Sequence, residues 1–285
     1  MDSVRVLVLR AAGINCDEET MHAWRLAGAA PQLVHINRVV DTPSMIDDVD
    51  IVTIPGGFSY GDDIAAGVIL AQRLMDGLAE RLRGLVDRGG GVLGICNGFQ
   101  VLVKAGLLPG GPESRQLVTV TYNDSARFEA RWVRLKVVTD RCPFLTAVGP
   151  RRSADREPHA NNGADATYLE LPVEHAEGKV VTADDTALRY LRDNDHIAVC
   201  YVDGEDGPAR YPANPNGSVA GIAGLCDETG RIFGLMPHPD RHFDHTQHPL
   251  WTRRRPTGSP DGLTVFQNAV VHWRRRNRGK VSGRF

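Results

Sequence analysis

The run Gly94-Ile95-Cys96-Asn97-Gly98-Phe99-Gln100 limits this chain more than any other stretch, because it sets a thiol where a buried strand must turn sharply into a helix. Gly91 to Ile95 is a short apolar run opened by three glycines, the pattern of a strand covered on both faces in a parallel sheet. Beyond it, Phe99, Val101, Leu102, Val103, Ala105 and Leu107 carry apolar side chains until Pro109-Gly110-Gly111 intervenes, which predicts a helix. Cys96 is then the hinge, with Gly94 and Gly98 making room for a strained turn and close strand-to-helix contact. A thiol at a helix N-terminus meets unpaired amides and the positive end of the helix dipole, which favours thiolate. The pattern alone also describes an inert buried cysteine, so a nucleophile needs a base and an oxyanion site from elsewhere in the chain.

Both are present. Val49 to Ile54 reads as a second apolar strand running into Pro55-Gly56-Gly57-Phe58-Ser59-Tyr60-Gly61-Asp62. Adjacent glycines after a strand let an amide point into a cleft, so the N–H groups of Gly57 and Asn97 are candidates for an oxyanion hole; a simple tight turn is the other reading. Ile232 to Met236 reads as another strand, ending in Pro237-His238-Pro239-Asp240-Arg241. The prolines favour extended backbone, which projects His238 and Asp240 to the same side. A carboxylate there fixes the imidazole tautomer and stabilises the imidazolium, completing a Cys96-His238-Asp240 triad.

These residues resemble the class I, triad-type glutamine amidotransferases, whose shared pattern is G-x-C-x-G-x-Q followed later by H-x-E. Within that group the chain resembles the glutamine-hydrolysing subunits of phosphoribosylformylglycinamidine synthase, through Gly13-Ile14-Asn15-Cys16-Asp17, Pro55 to Asp62, Gly94 to Gln100, Asn214-Pro-Asn-Gly-Ser218 with Ile222-Ala-Gly224, and Met236 to Pro239. The resemblance covers most of the chain. It implies a subunit that hydrolyses glutamine to glutamate and ammonia, while a separate synthetase subunit uses ATP and magnesium to aminate formylglycinamide ribonucleotide, with a small accessory subunit as a further partner. It implies no cofactor or metal in this chain. Carried over by motif, Cys96 is the nucleophile, His238 the base and then acid, and Asp240 its orienting carboxylate. Gly56, Gly57 and Gln100 fall where the family contacts glutamine or forms the oxyanion hole. Pro172-Val-Glu-His175-Ala-Glu-Gly178 resembles a loop lining the glutamine pocket, which makes His175 a substrate-binding candidate. The family's usual third triad member is glutamate; Asp240 is one methylene shorter, so backbone must bring it closer or a water must bridge. Glu174-His175-Ala176 likewise stands where the family usually has Ala-His-Gly. A triad amidotransferase serving another synthetase, or a cysteine hydrolase on a similar sheet, remain the alternatives.

Strands near 4–9, 32–36, 49–54, 91–95 and 231–236 alternate with helical stretches near 16–28, 64–88 and 97–107. That alternation predicts an α/β fold with a mostly parallel sheet flanked by helices, flavodoxin-like by resemblance, and strand-rich segments near 117–122, 127–138 and 197–202 predict an antiparallel extension. Residues 1–285 read as a single domain, which 42% hydrophobic residues can fill with core. A net charge of -2 gives no reason to expect nucleic acid, and no apolar stretch is long enough to span a membrane. Five cysteines without a C-x-x-C pair indicate neither a disulfide framework nor zinc, pointing to a reducing cytoplasm, with Cys16, Cys142, Cys200 and Cys226 as small buried hydrophobes. Residues 148–167 read as a mobile exposed loop, and one of Asp62 and Asp63 as a helix N-cap. Leu263, Phe266, Val270 and Trp273 predict a docked helix, followed over 274–285 by a basic tail expected to be solvated, with an acidic partner or a phosphate as the other reading. His242, His245 and His248 are expected to make surface or partner contacts rather than hold a metal.

Overall fold

Short buried strands alternating with helices build one large sheet, and its order places the elbow between two neighbours that also carry site residues. The computed structural model describes residues 3–62, 64–110, 117–146, 168–203, 209–254 and 258–282. The expected loop at 148–167, Asp63 and the last three residues lie outside them. The chain runs β1 (Arg5–Arg10), α1 (Asp17–Leu26), β2 (Ala30–His35), α2 (Ile36–Asp41), β3 (Ile51–Ile54), α3 (Val68–Gly77), α4 (Ala79–Asp87), β4 (Gly91–Ile95) and α5 (Asn97–Lys104). It continues through β5 (Val118–Thr121), β6 (Glu129–Val137), α6 (Pro143–Thr146), β7 (Tyr168–His175), β8 (Lys179–Thr182), α7 (Asp185–Asp193), β9 (Ile197–Val202), β10 (Ile222–Cys226), β11 (Ile232–Leu235) and α8 (Asp261–Ser282).

Nine strands form the main sheet in the order β2-β1-β3-β4-β11-β10-β9-β6-β7. From β2 to β11 every pairing is parallel, and from β11 to β7 every pairing is antiparallel. The parallel half follows from strands that are apolar throughout: every residue of β3 and of β4 is buried. The antiparallel half alternates instead, as in β7, where Leu169, Leu171 and Val173 are buried. Helices cover both faces of β4. Trp273 of α8 and Phe144 of α6 meet Gly91, whereas Leu102 of α5 meets Gly94, three residues on and therefore on the other face. The Trp273 indole donates to Gly89 O at 3.0 Å, and Phe144 stands 5.2 Å from Trp273 and 5.8 Å from Phe233 by ring centroids.

Several sequence expectations change. The expected helix over 64–88 is two, α3 and α4, broken at Leu78. Segment 117–122 does not extend the main sheet: β5 pairs antiparallel with β8 in a separate two-stranded ribbon. Pro172 to His175 is not loop but the end of β7, because its alternating apolar residues pair with β6, leaving only Ala176 to Gly178 as a turn. The basic segment after Trp273 is not a disordered end as far as Ser282 but a continuation of α8, consistent with the helix-forming tendency of arginine and lysine, and Arg274, Arg275 and Arg278 are exposed as expected. Arg274 donates to Gly28 O at 2.5 Å and Asn277 to Asp50 Oδ1 at 3.2 Å, so this end of the helix is tied to the loops before β2 and β3. No helix among the described residues is long and apolar enough to cross a membrane.

Candidate active site

Cys96 is the N-cap of α5, with φ 51° and ψ −105°, a left-handed conformation that a cysteine adopts only under strain of about 1–3 kcal/mol. The strain is imposed by packing. A Cβ on Gly98 would collide with the carbonyl oxygen of Ile54, so α5 rests directly on the end of β3 and the chain must leave β4 abruptly. The elbow holds the thiol, 5% exposed, with Sγ 3.7 Å from the carbonyl oxygen of Glu174 at the end of β7.

His238 follows β11, the other neighbour of β4, and both it and Asp240 are buried. The two are not presented by extended backbone as the sequence suggested. His238 is extended, but Pro239–Arg241 forms one 3-10 turn, because proline suits the first helical position. That turn brings the aspartate back, with His238 Nδ1 3.3 Å from Asp240 Oδ1, within ion-pair reach but outside hydrogen-bond geometry. Burial alone would lower the His238 pKa; the charges of a Cys96 thiolate and of Asp240 overcome it and hold His238 well above its ordinary range. Its backbone N–H donates to Pro172 O at 2.8 Å, which fixes the histidine loop to β7.

Gly56 ends β3's run into the site, and only glycine fits there. A Cβ would lie 2.6 Å from His238 Cε1, 3.2 Å from Cys16 Sγ and 3.4 Å from Cys96 Cβ. Gly57, at φ 137°, lies against Ile14 in a bridge whose bonds run from Cys16 N to Gly56 O and from Phe58 N to Gly13 O. The Gly57 amide takes no part in that bridge, and Asn97, as the first residue of α5, has an amide with no acceptor inside the helix.

A thiol, an imidazole and a carboxylate in this order, walled by amides, are equipped to attack an acyl carbon and hold the oxyanion that results. Residues 3–273 match the family model of the CobB/CobQ-like glutamine amidotransferase domain. The chain belongs to that family of glutamine amidotransferases. It is 42% identical over 278 residues to the phosphoribosylformylglycinamidine synthase subunit PurQ of Dehalococcoides mccartyi, covering 97% of this chain and 100% of that protein. The corresponding PurQ of Archaeoglobus fulgidus is 38% identical, with 94% and 97% covered. Among solved structures, the PurLQS structure from Thermotoga maritima contains a chain that matches with a TM-score of 0.68 and 28% identity, covering 95% of this chain and 100% of that one. A glutamine amidotransferase from the same organism shares the fold, with a TM-score of 0.52 and 12% identity over 96% and 98%.

The other candidates of this amidotransferase fall around the triad in different ways. Gln100 is buried and occupied: its Nε2 donates to Glu177 O and its Oε1 accepts from Asn97 Nδ2 at 3.0 Å, tying α5 to the turn after β7. His175 lies buried at the end of β7 with Nδ1 3.1 Å from Asn123 Oδ1, while Nε2 has no partner among the described residues. Burial, with the charge of His238, depresses its pKa from 6.5 to about 3, so the ring is neutral. Asp62 accepts from Gly67 N at 3.2 Å, just before α3, and from Asn97 Nδ2 at 3.3 Å. His242, His245 and His248 stand apart from the triad: Nδ1 of His242 faces Glu170 O, Nε2 of His245 faces Gly258 O, and Nε2 of His248 faces the Glu170 carboxylate.

Three residues escaped the sequence reading. Cys16, read as a small buried hydrophobe, is buried and also lies against the triad, its Sγ within 4.8 Å of a His238 ring nitrogen, and its thiol is raised by burial. Arg241 donates to Cys16 Sγ at 3.3 Å and pairs with Glu19 and Glu174. Thr20 reaches Asp240 Oδ2 at 3.1 Å. The signal for Cys16 was its place in a family-specific string; nothing in the sequence marked Thr20. Among the described residues, Cys16, His238 and Asp240 form the group with donor atoms close enough, within 4.8 Å, to hold a metal ion. Its imidazole and carboxylate already serve each other.

Proposed function

We propose that Cys96, His238 and Asp240 hydrolyse glutamine in the glutaminase subunit of phosphoribosylformylglycinamidine synthase, in purine biosynthesis. What carries the reading is the strained thiol beside a buried imidazole-carboxylate pair, on the adjacent strands β4 and β11. The Cys96 thiolate adds to the side-chain amide carbon of glutamine, giving a tetrahedral oxyanion that the Gly57 and Asn97 amides stabilise; losing one such donor raises the barrier by roughly 3 kcal/mol. His238 passes its proton to the amine, ammonia leaves, and a thioester remains. The same imidazole then takes a proton from water, which attacks the thioester and releases glutamate and the thiolate. Asp240 holds the imidazole in register throughout.

Gly56 and Gly57 wall the site on the β3 side, and His175, neutral with a bare Nε2, offers an acceptor to a donor group of the substrate. Gln100 acts through Asn97 and Glu177, shaping the wall rather than binding glutamine end-on. The ammonia is consumed by a synthetase subunit, which holds the ATP and magnesium, and the PurLQS structure from Thermotoga maritima supports assembly with it and with a small accessory subunit. Five free thiols support a reducing, cytoplasmic setting.

The test is ammonia release from glutamine by the purified chain, with and without the synthetase subunit, ATP and formylglycinamide ribonucleotide. Release that rises with partner and substrate supports the reading. Release indifferent to them moves the chain to another synthetase, and no release in either condition overturns the triad.

A further inference from the structure

We infer that Thr20, in the first turn of α1, is a positioning residue for the hydrolysis: its hydroxyl holds the Asp240 carboxylate so that the other oxygen faces His238. The inference rests on the reading of Asp240 as the third member of the triad. Thr20 is 0% exposed, as is Asp240, so bulk solvent reaches neither. The geometry divides the carboxylate in two. Oδ1 lies 3.3 Å from His238 Nδ1, and Oδ2 lies 3.1 Å from Thr20 Oγ1. The Thr20 hydroxyl is the hydrogen-bond donor that this carboxylate has among the described residues, His238 Nδ1 standing at ion-pair distance from the other oxygen.

The hydroxyl carries one proton and meets two acceptors, Asp240 Oδ2 and the carbonyl oxygen of Cys16 at 2.6 Å. Cys16 O already receives the Thr20 backbone amide at 3.1 Å, as in any helical turn, so the helix does not need the hydroxyl there. The carboxylate does need it, since a buried charged acceptor without a donor is costly. Thr20 therefore couples α1 to the 3-10 turn after β11. Without the hydroxyl, the carboxylate is free to rotate, Oδ1 leaves the line of Nδ1, and the imidazolium loses the anion that keeps its proton. The loss falls on the proton-transfer steps, not on glutamine binding.

The experiment uses the full chain assembled with its synthetase subunit and compares Thr20→Val, Thr20→Ser and Asp240→Asn. Thr20→Val keeps the β-branched shape and removes the hydroxyl; Thr20→Ser keeps the hydroxyl. The expected result for Thr20→Val is a roughly 10- to 100-fold lower glutamine-dependent kcat with KM for glutamine within about threefold, the size expected for a hydrogen bond to a charged group. The alkaline limb of kcat/KM, where His238 gives up its proton, moves to lower pH, and Thr20→Ser restores both readings. Ammonia-dependent synthesis stays at the level of the unaltered complex. A folded Thr20→Val with unchanged kcat and unchanged limb, beside an impaired Asp240→Asn, overturns the role of Thr20 and leaves the triad standing. Equal losses in Thr20→Val and Thr20→Ser also overturn it, since packing would then be the cause. An Asp240→Asn chain as active as the original overturns the triad reading and this inference with it. Should Thr20→Val not fold, the same readings on Thr20→Ala against Thr20→Ser decide the matter.

Discussion

Two cysteines cap two helices beside the same histidine, and the molecule treats them differently. Cys96 caps α5 at φ 51°, while Cys16 caps α1 at φ −100°, an unstrained value. The strained one is held by an elbow that brings its sulfur to the end of β7. The relaxed one is tied by its neighbours: its thiol donates to Asn15 Oδ1 at 3.3 Å and accepts from Arg241. A helix N-terminus is therefore not sufficient to make a nucleophile. What distinguishes Cys96 is the backbone that aims it and the Gly57 and Asn97 amides proposed as its oxyanion site; what Cys16 does is pack against His238 and start the turn that carries Thr20.

Breaking the comparison at its strong end, Cys96→Ser abolishes glutamine-dependent synthesis by the complex, a fall of at least about a thousandfold as for the loss of a nucleophile, while ammonia-dependent synthesis persists. Loss of both activities would make Cys96 structural. Next in size, Gly56→Ala wedges a methyl group 2.6 Å from His238 Cε1 and against both sulfur-bearing side chains. Overpacking is expected to cost about 1–3 kcal/mol of stability, leaving a chain folded by circular dichroism, and displacement of the reacting groups to lower kcat about 10-fold or more. Unchanged kcat would mean that the three groups need not stay this close.

A smaller effect separates His175 from the triad histidine. His175 is neutral in the fold down to a pKa of about 3 but takes up a proton at about 6.5 when unfolded, so unfolding binds protons and stability falls as pH falls through that window. His175→Asn should flatten the dependence by about 2 kcal/mol between about pH 7 and pH 5, measured from urea unfolding at each pH. An unchanged slope would place the acid sensitivity elsewhere. Smallest of all, Cys16→Ser is expected to lower kcat less than about tenfold, since it removes a neighbour of the base and not a reacting atom. Alkylation by iodoacetamide followed by mass spectrometry should mark Cys96 ahead of Cys16, whose thiol is buried and raised. Equal labelling would erase the distinction between the two.

The parallel half of the fold was legible because its strands are apolar runs closed by glycine and proline, and such runs need no partner to be recognised. The elbow was legible for the same reason, its glycines standing where backbone meets backbone. Less was legible where contacts are remote in sequence. Nothing local in Thr20 reveals an acceptor 220 residues away. Cys16 looks like any small buried residue until the histidine beside it is in place. Asp240 was paired with His238 for a backbone reason that does not hold, since a proline-led turn and not an extended strand closes the distance. The ribbon of β5 and β8 went unread because strand propensity gives no sheet membership.

The order β3-β4-β11 has a bearing on time as well as place. Ile54, Gly94 and Gly234 stand in one row across three hydrogen-bonded strands, directly beneath the residues that hold the oxyanion site, the thiol and the imidazole. Amides in such a row exchange with solvent only when the central sheet itself opens. The strand ends that carry the thiol and the imidazole thus last as long as the centre of the sheet, whereas the turn that brings in Asp240 leans on the start of α8 as well, through Leu263 N to His242 O at 3.0 Å, and shares the lifetime of that contact.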